Sequence, residues 1–151
     1  MHLIAIILAK INLLGKDLNQ FSLETVTMFY NDGVAAGYSL WTAFQKNFPQ
    51  AKVEKWEKEG SNFEAEFELN KTEQSVLFDA QGNLLETEVE IELNQLPKGV
   101  LEYVKANYIG QKVKEAAKIT DAKGTVTYEA EIKGMDILFD STGKFIKEIK
   151  N

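Results

Sequence analysis

The chain has 151 residues, of which 44% are hydrophobic and 26% charged, and this composition is typical of one folded globular domain. It has no cysteine, which excludes disulfides and thiolate sites, and its 17 basic residues are all lysine, which excludes bidentate guanidinium recognition of phosphate. A net charge of −6 argues against nucleic-acid binding, because a polyanion would be repelled.

Residues 1–36 form an N-terminal segment that the sequence does not assign to a domain. The stretch from Leu3 to Leu14 is apolar apart from Lys10 and Asn12, and it is too short to span a bilayer as a helix. It fits three alternatives: a degenerate export signal, an element that packs on the domain, or an upstream start-site artefact. Residues 15–36 have no consistent period, which indicates irregular or weakly helical structure.

Residues 37–92 are predicted to form a first repeat that begins with a short amphipathic helix. We expect Ser39 to cap this helix and Pro49 to end it, because proline disfavours helical geometry in the residue before it. The apolar positions have helical spacing, at Leu40, Trp41, Phe44 and Phe48. A strand is then predicted within residues 51–59, followed by a turn at residues 60–62.

The stretch from Phe63 to Glu92 is predicted to form three antiparallel strands joined by tight turns. Alternation supports this prediction, because one face of the first strand holds Phe63, Ala65, Phe67 and Leu69 and the other holds Glu64, Glu66 and Glu68. Asp79 is expected to open a type I turn in which Gly82 supplies a positive φ. The acidity is concentrated here, since residues 54–92 contain three lysines and twelve acidic residues.

The same unit recurs in residues 96–150. One constant offset along the sequence relates Leu40, Trp41, Phe44, Phe48 and Val53 to Val100, Leu101, Val104, Tyr108 and Val113. Slightly different offsets relate the strands from Phe63 and from Leu77 to those from Tyr128 and from Leu138, because the turns differ in length, and Asp140–Gly143 repeats the Asp79–Gly82 turn. The predicted fold is therefore α+β: a tandem repeat of one helix and about four antiparallel strands, with the helices on one face of a continuous sheet.

The ordered motifs resemble those of a known family. AFQKNFPQAKVEKWEKEG (43–60), FEAEFELN (63–70), the turn pattern in residues 78–86, LPKGVLEYVKANY (96–108), TYEAEIKG and LFDSTGKFI are similar to PepSY-like proteins with a β-lactamase-inhibitor-like fold, which are exported by Bacteroidetes. The resemblance covers residues 37–150. It implies the tandem fold, a periplasmic or secreted location and no catalytic activity. It also implies a kinship with modules that restrain peptidases and with inhibitors that bind a hydrolase through a sheet face.

Groups for nucleophilic catalysis are scarce. The only histidine is His2, so the five serines lack a suitable base, and no histidine-based zinc site is expected. We predict no catalytic residue, no cofactor and no assigned metal ligands.

Carboxylates are the most abundant candidate functional groups in the sequence. If the strands pair in order, Glu64, Glu66 and Glu68 share a face with Glu86, Glu88, Glu90 and Glu92, with Ser75, Leu77 and Asp79 between them. Four interpretations remain open: a solvated face, a docking surface for a basic partner, weak Ca²⁺ binding, or an acid/base pair, which would require burial. Trp41 is predicted to lie in the core, whereas Trp56 is either a core residue or an exposed contact residue.

These observations predict a non-enzymatic extracytoplasmic binding module that docks or inhibits a peptidase or another hydrolase through its sheet. The alternative is a small-molecule or Ca²⁺-binding domain that uses the acidic face of the first repeat. The partner is expected to be a protein or peptide, and the oligomeric state is left open. The candidate partner-binding residues are Trp56, Glu64, Glu66, Glu68, Glu86, Glu88 and Glu90.

Overall fold

The computed structural model describes residues 23–151. Its helices are α1 (Leu23–Asp32), α2 (Val34–Asn47) and α3 (Val100–Asn107), with a short 3-10 helix at Leu93–Gln95, and its strands are β1 (Lys55–Glu59), β2 (Asn62–Leu69), β3 (Thr72–Phe78), β4 (Leu84–Ile91), β5 (Glu115–Asp121), β6 (Val126–Ile132), β7 (Met135–Asp140) and β8 (Phe145–Lys150). The eight strands form one antiparallel sheet in chain order, which confirms the predicted α+β class. The chain divides into two compact units, unit 1 ending at Leu85 and unit 2 running from Glu86 to Asn151.

The start of the second helix differs from the sequence prediction. Helix α2 begins at Val34, after Gly33 with its φ of 95°, so the prediction that Ser39 caps the helix is wrong. The Ser39 hydroxyl donates instead to the carbonyl of Ala35 (3.0 Å), one turn earlier, a bond that lets serine lie inside a helix. Helix α1 and the start of α2 also occupy part of the segment expected to be irregular or weakly helical, which is helical over these residues. The stretch from Leu3 to Leu14 lies outside the described residues.

The core of unit 1 lies between α2 and one side of β2 and β3. Leu40 and Phe44 of α2 are fully buried, and the Phe44 ring meets the Phe67 ring edge-on at 5.0 Å. The strands bring the apolar residues into register, with Phe63 opposite Phe78. Burying each of these aromatic side chains contributes about 1.5–3 kcal/mol. The predicted alternation in β2 is thus confirmed.

The core of unit 2 is built in the same way from smaller side chains. Val100 and Val104 of α3 are buried against Ile137 and Phe139 of β7. Tyr103 lies stacked on Phe145, with ring centroids 5.2 Å apart. The sheet therefore presents an apolar side to α3 in this unit.

Backbone geometry confirms the tandem repeat. Phe48 and Tyr108, which occupy equivalent positions of the two repeats, both cap a helix, and each donates its N–H to the carbonyl four residues earlier at 2.8 Å. Each helix is followed by the same strand junction, in which Glu54 N–H bonds to the Glu66 carbonyl and Lys114 N–H to the Glu131 carbonyl, both at 2.8 Å. Equivalent positions of the repeats therefore adopt equivalent structures.

Turns that begin with aspartate and contain glycine connect several strands. In each, the aspartate Oδ1 accepts hydrogen bonds from the backbone N–H groups two and four residues ahead at 2.9–3.0 Å, as seen at Asp79, Asp121 and Asp140. Hydrogen bonds from the backbone and from side chains of the turn lower the pKa of each carboxyl group. The largest effect comes from the Asn83 side chain on Asp79, from the Thr125 backbone on Asp121 and from the Thr142 side chain on Asp140.

The turn that contains Gly143 packs closely against the residues that precede α3. Gly143 has a φ of 90°, and a Cβ at this position would lie 2.8 Å from the carbonyl oxygen of Lys98 and 3.1 Å from Cβ of Pro97. Gly124, in the turn after β5, has a similar φ of 86° but no atom within 4 Å of such a Cβ. The two positions therefore share a positive φ that would strain any residue with a Cβ, and they differ in what such a Cβ would contact.

We expect Gly143→Ala to lower the free energy of unfolding by about 2–4 kcal/mol, because it adds a clash with backbone to the cost of a left-handed alanine. Gly124→Ala, the matched control, should lose only about 1 kcal/mol. Urea unfolding monitored by circular dichroism measures both. Equal losses would show that the contact of the added Cβ with Lys98 and Pro97 does not lower the free energy of unfolding.

Candidate functional site

The sheet of unit 1 has an acidic side opposite to its core. We call this side the open face of unit 1, and its residues are Lys55, Glu57, Glu59, Glu64, Glu66, Glu68, Glu73, Ser75 and Leu77. Glu64 lies between Glu57 of β1 and Leu77 of β3, and Glu66 lies opposite Ser75. The predicted placement of Ser75 and Leu77 beside the β2 glutamates is therefore correct.

Carboxylates on this face are close enough to interact. Oxygens of Glu57, Glu59 and Glu64 lie within 4.8 Å of one another, and the Lys55 ammonium forms an ion pair with Glu57. Partial burial raises the pKa of the Glu64 carboxyl, and repulsion from neighbouring glutamates adds to this effect, while a hydrogen bond with Ser75 opposes it. Three oxygen ligands can hold a hard cation only if water or other groups complete its shell.

The open face of unit 2 has a different composition. It comprises Glu86, Glu88 and Glu90 of β4, Glu115, Ala117, Ile119 and Asp121 of β5, Thr127, Glu129 and Glu131 of β6, Asp136 and Leu138 of β7, and Lys147 and Ile149 of β8. The three candidate glutamates of β4 therefore lie opposite Asp121, Ile119 and Ala117. Glu92 does not continue their row, since it lies beyond β4 and donates its N–H to Gln95 Oε1 at 2.8 Å.

Glu129 lies at the centre of this face. It is half-buried, with Ala117 opposite on one side and Leu138 on the other. Burial, together with repulsion from Glu88, Asp136 and other carboxylates, raises the pKa of the Glu129 carboxyl to about 8. Glu129 is therefore largely protonated at neutral pH.

Sequence reasoning did not single out Glu129, although the repeat contained the signal. Glu129 corresponds to Glu64 when the strand from Tyr128 is aligned with the strand from Phe63, and burial is the largest cause of the raised pKa in both. The two surroundings differ because Asp136 occupies in unit 2 the position that Ser75 has in unit 1. A hydroxyl that donates to Glu64 is thus replaced by a carboxylate that repels Glu129.

Trp56 lies on the core side of the sheet and not beside the glutamates. Its indole N–H donates to Thr25 Oγ1 at 3.1 Å, and its ring lies 6.3 Å from the Phe44 ring and 6.4 Å from the Phe78 ring. These contacts tie β1 to α1 and to the core of unit 1. We therefore leave Trp56 out of the open face.

The chain matches the model of a known protein family. A family model described as "Putative beta-lactamase-inhibitor-like, PepSY-like" matches residues 39–86 and 68–147. No curated protein matches the chain significantly. Among residues 23–151, no helix has both the length and the apolar character needed to cross a bilayer.

Solved structures share the fold. A DUF2874 family protein from Bacteroides uniformis is 22% identical, with a TM-score of 0.64 and coverage of 74% of this chain and 87% of that one. A "putative periplasmic" protein from Bacteroides eggerthii is 18% identical, with a TM-score of 0.64 and coverage of 74% and 86%. A BLIP-like protein from Bacteroides fragilis is 25% identical, with a TM-score of 0.58 and coverage of 75% and 84%.

The raised pKa of Glu129 predicts a specific pH dependence of stability. The folded state holds this proton more tightly than the unfolded chain does, so the folded state loses stability as the pH rises from about 4.5 to about 8. Glu129→Gln stays neutral and should raise Tm at pH 9 by a few degrees, equivalent to about 1 kcal/mol after allowance for partial exposure.

Thermal unfolding between pH 4.5 and pH 9 tests this expectation, with the exposed helix residue variant Glu102→Gln as the control. The gain of Glu129→Gln over the natural protein should shrink towards pH 4.5, where the natural carboxyl is protonated in the folded state and half protonated in the unfolded chain. A gain in Tm that is independent of pH would show that Glu129 carries no proton in the folded state.

Proposed function

The chain belongs to the PepSY-like, β-lactamase-inhibitor-like family, and on that premise we propose that it is a non-enzymatic module that docks a protein or peptide partner through the open faces of its sheet. A peptidase or another hydrolase is the class of partner that the family likeness favours. The proposed site excludes Trp56 and retains Glu64, Glu66, Glu68, Glu86, Glu88 and Glu90.

The observation that carries this proposal is the unequal use of the two sides of the strands. Within residues 23–151, α2 and α3 pack on the apolar sides and bury Leu40, Phe44, Val100 and Val104. The opposite sides hold rows of carboxylates, which repel one another and so cost stability. A surface that is kept at such a cost is suited to complementary charges on a partner.

An extracytoplasmic location belongs to the same proposal. The Bacteroides eggerthii protein with the same fold is described as "putative periplasmic", and the residue motifs resemble those of exported proteins. The absence of cysteine is compatible with an oxidising compartment. The N-terminal residue of the protein isolated from its native cell would test export directly, since a processed N-terminus is expected.

Charge reversal on the open faces tests the docking site. We expect the double variant Glu66→Lys/Glu88→Lys to recover its partner from native periplasmic extract at least about tenfold less well than the natural protein. The reason is that the two introduced lysines would repel the partner's basic groups. The matched control is Glu102→Lys, which makes the same change on an exposed helix position.

Quantitative mass spectrometry of the three parallel pull-downs provides the measurement, with thermal unfolding to verify that each variant is folded. A specific partner that is retained equally by all three proteins would place docking elsewhere. Failure of the natural protein to retain any specific partner would argue against a docking function.

A second candidate function rests on the carboxylates of Glu57, Glu59 and Glu64, whose oxygens lie within 4.8 Å of one another. This cluster favours Ca²⁺ over softer metals, because its ligands are oxygens only. If Ca²⁺ binds there, a concentration ten times the Kd should stabilise the fold by about 1.4 kcal/mol and raise Tm. Glu64→Gln should abolish the rise, whereas Glu73→Gln, on the same face, should keep it. An unchanged Tm in the natural protein would eliminate this candidate.

A further inference from the structure

The open face of unit 2 has an apolar floor that unit 1 lacks. Ala117 and Ile119 are only 7% and 8% exposed, although they point away from α3 and stand outside the core cluster of unit 2. Their neighbours on the same face are Glu88 and Glu90 of β4 and Glu129 of β6. The stems of these acidic side chains thus cover a small apolar surface.

The repeat shows what this floor replaces. At the offset that relates the two helices, Ala117 and Ile119 take the positions of Glu57 and Glu59, which in unit 1 share a compact cluster with Glu64. Among the residues that the structure describes, no other group of three carboxylates comes within 4.8 Å of one another. The face of unit 2 is therefore poorly suited to a single small cation and better suited to a larger ligand with both apolar and cationic parts.

The charge on this face is strongly one-sided. Around Glu129, the titratable groups are Glu86, Glu88 and Glu90 on β4, Glu115 and Asp121 on β5, Glu131 on β6, Asp136 and the turn residue Asp140 on β7, and Lys147 on β8. Lys147 is the one lysine among the strand residues of unit 2 that point to this side. A lysine or arginine side chain can lay its alkyl stem along the stems of these acidic side chains and place its charge among the carboxylates.

We propose that the open face of unit 2 binds an extended cationic segment of the partner, and that one lysine or arginine of this segment pairs with the carboxylate of Glu129 at the centre of the face. In this step the Glu129 O–H bond breaks, the proton passes to solvent buffer, and the carboxylate pairs with the incoming cation. The inference rests on the proposed docking function and adds the chemistry of the partner and its coupling to pH.

Proton release makes a quantitative prediction. Because the pKa of Glu129 is raised to about 8, binding at pH 7 should release close to one proton per complex. The affinity should then increase about tenfold between pH 7 and pH 9, a range in which lysine side chains stay charged. A carboxylate surface of ordinary acidity would show no such increase.

A pentalysine peptide, acetylated at its N-terminus and amidated at its C-terminus, is the probe. Isothermal titration calorimetry at low ionic strength, in phosphate and in Tris at the same pH, gives both the affinity and the number of protons released. Glu129→Gln should bind with no proton release and no increase towards pH 9, whereas Glu102→Gln should behave as the natural protein does. Asp136→Ser, which installs the residue found at the equivalent position of unit 1, should move the increase to lower pH.

The outcomes separate this inference from the docking function. Equal pH dependence in the natural protein and Glu129→Gln would overturn the role of Glu129, while charge reversal against the native partner would still decide whether the sheet docks a protein. The absence of any heat with pentalysine at millimolar concentration would overturn the cationic segment. If a pentalysine peptide with acetylated side chains binds as tightly as pentalysine itself, the requirement for a cationic segment is likewise overturned.

Discussion

The structure depends on the strict alternation of side chains along strands that are held in antiparallel register. Once Phe63 lies opposite Phe78, every second residue of β2 and β3 must face the core and the others must face away. A shift of one residue would move the glutamates of β2 into contact with Phe44. The cost of burying those charges is several kcal/mol per group, so the register of the acidic face is fixed by the apolar side beneath it.

That register brings like charges together, and the fold tolerates them because the opposite side is strongly stabilised. In unit 1, Lys55 and Ser75 partly compensate Glu57 and Glu64. In unit 2, Glu129 meets Leu138 and Asp136 instead, and it keeps its proton near neutral pH. Proteins commonly retain such locally unfavourable groups where a surface serves binding, and compensate for them elsewhere in the fold.

Much of this architecture could be predicted because its signals are local. Alternation identified β2, the aspartate and glycine turns identified strand ends, and the constant offset between the apolar residues of the two helices identified the duplication. The start of α2 could not be predicted, because a serine hydroxyl can either cap a helix or donate to the carbonyl one turn earlier, as Ser39 does to Ala35, and only the longer helix decides between the two roles. The core-side contacts of Trp56 with Thr25 depend on α1, for which the sequence has no clear period.

Glu129 shows why a repeated sequence does not imply repeated chemistry. The strand that carries it copies the pattern of β2, so the sequence alone gives Glu64 and Glu129 the same role. Their neighbours come from other strands, and there the copies differ: Ala117 and Ile119 stand where the first copy has Glu57 and Glu59, and Asp136 stands where it has Ser75. Burial and repulsion from Glu88 and Asp136 raise the pKa of Glu129, whereas at Glu64 the hydrogen bond with Ser75 opposes the effect of burial. The acidic character of the two faces is therefore shared, but the ligand that each can hold is set by the neighbouring strands.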